Sequence, residues 1–188
     1  MKLTVALERV AIVVASLVLS VGLIALLSGF FAGRDQAGVN GTASQQGVQF
    51  RDLGDAHLRA GQPHPAYDSN PPTSGPHVPE PITRDMTELN DDQLLEALEQ
   101  GNVVFMYGTR TPPPGLQALA RSVAGPFTPA LAAAGQAVIL ARRPGTRGIL
   151  GLAWAHLVSV GAADDPALRS FAQYWLGRGA SGAQTQGA

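Results

Sequence analysis

From Val10 to Phe31 the chain runs VAIVVASLVLSVGLIALLSGFF, twenty-two residues without a charge. Nothing else in the sequence constrains it as strongly. At about 1.5 Å per residue such a helix is roughly 33 Å long, against a hydrocarbon core of about 30 Å. A secretory signal peptide carries a shorter apolar stretch, about 7–15 residues, ahead of a small-residue cleavage site. The segment LSGFFAG would give a tolerant peptidase a place to cut, but the run is too long for that reading. A retained single-pass anchor over residues 10–31 is expected, with the lipid bilayer as its partner. Lys2 and Arg9 precede the span, whereas Arg34 and Asp35 behind it nearly cancel. The positive-inside rule then keeps residues 1–9 in the cytoplasm and carries the rest to the extracytoplasmic face of the cell membrane.

An exported domain without a single cysteine is stabilised by its core alone. Disulfide stapling and dithiol redox chemistry are both excluded. With 13 basic against 14 acidic residues there is no basic footprint for a nucleic acid. Residues 32–49, AGRDQAGVNGTASQQGVQ, are polar and Gly-rich and read as a flexible linker. Similar composition returns in GASGAQTQGA, giving a disordered tail over residues 179–188. One domain of ordinary size, residues 50–178, lies between them.

Within it the punctuation is clear. NDDQLLEALEQG begins with Asn90 as cap and Gln93 three residues later, and stops at Gly101. VVFMY (103–107) is a strand, and TPPPGLQALARSVAG a helix closing at Gly125. TPALAAAG is a short helix capped by Thr128, opened by Pro129 and stopped by Gly135. QAVILA (136–141) and ILGLAWAHLVSV (149–160) read as two strands, paired antiparallel across the RRPGTRG turn. Asp165 and Pro166 start a last helix with Leu168, Phe171 and Trp175 on one stripe and Gly177 at its end. A small mixed sheet with helices packed on it buries these stripes. The fold class is α+β or α/β, preceded by the N-terminal transmembrane helix.

The stretch AYDSNPPTSGPH, residues 66–77, is neither helix nor strand. Three prolines and Gly75 stiffen it, leaving little conformational freedom to lose around His77. Tyr67 and the hydroxyls of Thr73 and Ser74 are placed to hydrogen-bond the loop to itself or to the domain. The segment from Tyr67 to His77 resembles the Tyr-x-x-x-Pro-Pro-Thr-Ser-Gly-Pro-His motif of a bacterial family, domain of unknown function 3105. EALEQGNVVFMY is similar to that family's His-x-Leu-Glu-His-Gly segment and apolar strand, LAWAH to its Ala-Trp-Gly triplet, and Asp55-Ala56-His57 to its first histidine. The resemblance covers roughly His57 to Gly179. It implies a membrane-tethered or secreted domain and no established activity. Tyr67, Pro71, Pro72, Thr73, Ser74, Gly75, Pro76, Gly101 and Trp154 are its structural motif residues. Glu96 and Gln100 stand where the family carries two histidines, and Ala155 where it carries glycine.

Histidines at i and i+4 on one helix face can chelate a metal, with a loop residue completing the set. Here the corresponding set is His57, His77 and Glu96, poor in nitrogen and lacking thiolate, so soft-metal affinity should fall. Gln100 is a weak neutral ligand. Met86 and Met106 carry thioethers, but Met106 lies in an apolar strand. The competing reading makes Glu96 and Gln100 a solvated helix face, His156 a hydrogen-bonded core or edge histidine, and His64 an exposed loop residue. For His77, a site and a packed loop explain the same residues equally. Arg142, Arg143 and Arg147 read as solvated charge on a hairpin turn.

No nucleophile elbow surrounds Ser74, and RRPGTRG lacks the ending of a phosphate-binding loop. No catalytic residue and no cofactor-binding motif is assigned. The favoured expectation is a non-enzymatic binding or interaction module with an unidentified protein partner. A metal-binding domain centred on His57 and His77 is the alternative, a transition metal being its cofactor. An enzyme built around the His77 loop ranks behind both.

Overall fold

The computed structural model describes residues 46–180. The expected anchor and cytoplasmic tail lie outside the described residues. Among the described residues no helix is long and apolar enough to cross a membrane.

VVFMY forms strand β3 (Val103–Tyr107), and all five residues are buried. Val103, Phe105 and Tyr107 enter one core; Val104 and Met106 enter the other. A strand that is apolar on both faces has to be covered on both, and the remaining elements do so. Helices α1 (Asp91–Gln100) and α3 (Pro129–Ala133) supply Leu94, Leu95, Leu98 and Ala132 to the Met106 side. Helices α2 (Leu116–Ala124) and α4 (Pro166–Trp175) supply Leu116, Leu119, Leu168, Phe171 and Trp175 to the Phe105 side. Each large side chain so removed from water contributes roughly 1.5–3 kcal/mol. The domain is α+β, with helices on both faces of a mixed sheet.

The helix signals act as read. Asn90 and Gln93 form a reciprocal capping box on α1, and Gly101 ends it at φ 105. Thr128 caps α3 ahead of Pro129, and Asp165 caps α4 ahead of Pro166.

One strand pairing differs from the expectation. The sheet runs β1–β6–β5–β3–β4–β2, with β1 (Val48–Gln49), β2 (Thr87–Glu88), β4 (Val138–Arg142), β5 (Ile149–Ala153) and β6 (His156–Val160). The antiparallel pair expected between residues 136–141 and 149–160 does not form. Strand β3 lies between them, parallel to β4 and antiparallel to β5. The RRPGTRG segment is a step over the end of β3, about two strand spacings of 4.8 Å. Gly108 makes room for it, since a Cβ there would stand 2.3 Å from the carbonyl oxygen of Thr146. Nor does its charge merely face solvent: Arg142 pairs with Glu88, and Arg143 with Asp91 at 2.9 Å and Asn70 at 2.8 Å.

Residues 149–160 are not one strand but a hairpin, in which Ala153 faces His156 across a turn at Trp154 and Ala155. Ala155 sits at φ 57, the left-handed region that an alanine enters at a cost. The chain ahead of residue 50 also takes part. Val48 and Gln49, read as the end of the linker, pair with Leu157 and His156. At the other end Ala180, read within the tail, is buried in the α1-side core.

Candidate metal centre

The proline-rich stretch is interior rather than displayed. Pro71, Pro72, Thr73, Ser74 and Gly75 are buried, and His77 has no exposed surface. Tyr67 explains Gly75: its ring lies where a Cβ would be, 2.9 Å away, and its hydroxyl donates to the Pro76 carbonyl at 2.9 Å. Burial and the nearby Asp92 and Asp91 push that phenol up to about 12. Ser74 is fully committed, donating to the Arg51 carbonyl and accepting from the Leu53 amide, both at 3.1 Å. The Thr73 carbonyl accepts the Ala155 amide at 2.9 Å, fastening the loop to the β5–β6 turn. Trp154, in that turn, is buried completely.

This scaffold fixes His77 by both backbone and ring. Its amide donates to the Ala56 carbonyl at 3.2 Å, and its carbonyl accepts the Leu58 amide at 2.8 Å, an isolated parallel bridge to His57. Its Nδ1 lies 2.9 Å from the Gly75 carbonyl oxygen. That oxygen can only accept, so Nδ1 carries a hydrogen and the lone pair of a neutral ring falls on Nε2. Nε2 is buried and faces Glu99 Oε2 at 3.1 Å and Glu96 Oε2 at 3.5 Å. Both are acceptors. His57 Nε2 approaches the same Glu99 oxygen, also at 3.1 Å.

One ligand atom from each of His57, His77, Glu96 and Glu99 lies within 4.8 Å of the other three. The structure thus brings the three residues singled out from sequence together and adds Glu99. On a helix, positions three apart share a face as surely as positions four apart. The i, i+3 spacing of Glu96 and Glu99 was the available signal. Gln100 is not in the cluster; its amide donates to Glu96 Oε1, turning Oε2 toward His77. Of the helix face opposite the leucines, Glu96 is largely covered by the loop that carries His77, whereas Gln100 is exposed as expected.

The other candidates sit elsewhere. Met106 is core, and Met86 is exposed at φ 58. His64 is exposed and pairs with Asp92 at 2.7 Å. His156 is buried, its Nδ1 bonded to the Trp154 carbonyl oxygen at 2.8 Å and its ring stacked on Trp175 at 3.9 Å. Burial lowers the pKa of this imidazole.

A family model described as a protein of unknown function, DUF3105, matches residues 59–187. The chain belongs to this family. The DUF3105 match takes in His77, Glu96 and Glu99 and starts two residues after His57. No curated protein and no solved structure matches the chain.

Proposed function

We propose that this DUF3105 domain binds one divalent first-row transition metal ion through His57, His77, Glu96 and Glu99. It acts as a non-catalytic module, held at the extracytoplasmic face of a membrane by residues 10–31. One observation carries the metal reading: the buried Nε2 of His77, its tautomer set by the Gly75 carbonyl, points at two carboxylates instead of a donor. A metal-bound histidine usually donates the N–H of its other ring nitrogen to a backbone carbonyl, a carboxylate or water.

Charge favours the same reading. Two carboxylates call for two positive charges, supplied either by two imidazolium rings with centroids 5.5 Å apart or by one divalent ion between neutral rings. The divalent ion avoids the repulsion between the rings. Ligands about 2.0–2.1 Å from a tetrahedral Zn²⁺ stand roughly 3.3 Å apart, close to the separations of 3.1 and 3.5 Å. Two nitrogens and two oxygens without sulfur suit Zn²⁺, Mn²⁺ or Fe²⁺ rather than Cu⁺. The non-catalytic character is supported by Ser74, whose hydroxyl is buried and spent on backbone groups. The location rests on the apolar run and its flanking Lys2 and Arg9.

Titration of the purified full chain with Zn²⁺ is expected to give one ion per chain, with affinity falling at least about 100-fold in His77→Ala. Absence of binding, or equal binding by that variant, overturns the site. Protease added to intact cells is expected to digest the part beyond residue 31; its survival overturns the location.

A further inference from the structure

Three of the four ligands are anchored and one is not. His77 is fully buried, and Glu96 and Glu99 stand on α1, whose leucines fill the core. His57 has half of its side chain exposed and belongs to residues 51–66, a segment without helix or strand beyond its single bridge residue. Only Leu53 and Leu58 in that segment are even half-buried. Its other tie to α1 is the exposed His64–Asp92 pair, and exposed pairs hold little. Four backbone hydrogen bonds, two to Ser74 and two to His77, tie the segment to the proline-rich loop. It nevertheless buries little apolar surface, and a segment with few apolar contacts is where local opening is cheapest.

We propose that the metal ion is a clasp: its presence decides whether residues 51–66 stay fastened over α1. The proposal rests on the metal reading above and names the state that the site controls. With the strap closed, His57 fills the fourth position. Opening breaks the bonds of Ala56 and Leu58 to the His77 backbone. His77 then keeps its burial and the bond of its ring to the Gly75 carbonyl, so three ligands remain beside α1. The fourth position faces outward, open to water or to a donor from another molecule. The ion binds the closed form with one more ligand, so it shifts the opening equilibrium by mass action. A hundredfold excess over Kd suppresses opening about a hundredfold where the open form binds far more weakly.

Arg59, exposed at the middle of the strap, reports on it; Arg121, exposed on α2, serves as the internal control. Trypsin is added to the full chain with Zn²⁺ or with chelator. Zn²⁺ is expected to slow cleavage after Arg59 about tenfold or more while leaving cleavage after Arg121 unchanged. In His57→Ala, Zn²⁺ should still bind, more weakly, and give Arg59 no protection. Bound Zn²⁺ with no change at Arg59 in the native chain overturns the clasp and leaves the metal site standing. Absence of Zn²⁺ binding overturns the metal site itself, and the clasp with it. If His57→Ala unfolds, seen as equal cleavage after Arg59 and Arg121, the native chain with and without Zn²⁺ decides alone.

Discussion

His57 and His77 face each other across an isolated parallel bridge, with ring centroids 5.5 Å apart and ring planes at 70°. Because the pairing is parallel and in register, both rings project to the same side, onto the polar face of α1. Glu99 completes the relationship, one of its oxygens standing 3.1 Å from each Nε2.

That shared oxygen ranks the acidic ligands. Glu99→Gln is expected to weaken Zn²⁺ binding more than Glu96→Gln, since Glu96 approaches only His77, at 3.5 Å. Gln100→Ala, which frees the Glu96 carboxylate from its orienting amide, should cost about 10–100-fold in affinity. Calorimetric titration of the three variants checks the order. Equal affinities for Glu99→Gln and the native chain would remove Glu99 from the set.

Ala155→Gly is expected to stabilise the protein by about 0.5–1 kcal/mol. Alanine at φ 57 is strained, and its backbone is held there by the Thr73 carbonyl on one side and the Phe50 amide on the other. The lost methyl group, buried in the α1-side core, offsets part of the gain. Urea denaturation with an unchanged slope and a higher midpoint is the expected result.

Gly179→Ala should act in the opposite direction. A Cβ at this position would stand 1.9 Å from the Glu99 carbonyl oxygen and 2.9 Å from the Gly101 amide nitrogen, so backbone has to move. A loss of about 1–3 kcal/mol is expected from overpacking, with weaker Zn²⁺ binding because Glu99 shifts. Thermal unfolding and metal titration of the same sample read both effects.

His156 makes stability depend on pH. Burial lowers its pKa in the folded protein below the unfolded value of about 6.5. The unfolded state therefore takes up the proton first as pH falls. Its contribution is complete above about pH 6.5 and is lost as pH drops toward and through the folded pKa. His156→Gln should flatten the decline in stability over that window. An NMR titration of the ring with a midpoint at or above 6.5 would contradict this.

Much of the fold is written locally. Asn90, Gln93, Thr128, Pro129, Asp165 and Pro166 act within one helical turn, so their effect is legible without any knowledge of what lies across the domain. The apolar stripes of α1 and α4 and the continuous run of β3 likewise state which surfaces must be covered. The break at Trp154 and Ala155 escaped because the apolar run from Ile149 continues through it with no turn residue at the break, and alanine is a poor marker of a left-handed turn.

The sequence by itself determined where helices begin and end, which faces are apolar, and that His77 is held by a stiffened loop. Those are properties of neighbouring residues. Only the tertiary structure decided that β3 separates β4 from β5, that the proline-rich loop is interior, and that Glu99 joins two histidines over 20 residues upstream. Each of these depends on contacts between distant segments, whose energy comes from the surface they bury together and leaves no period or spacing in the chain.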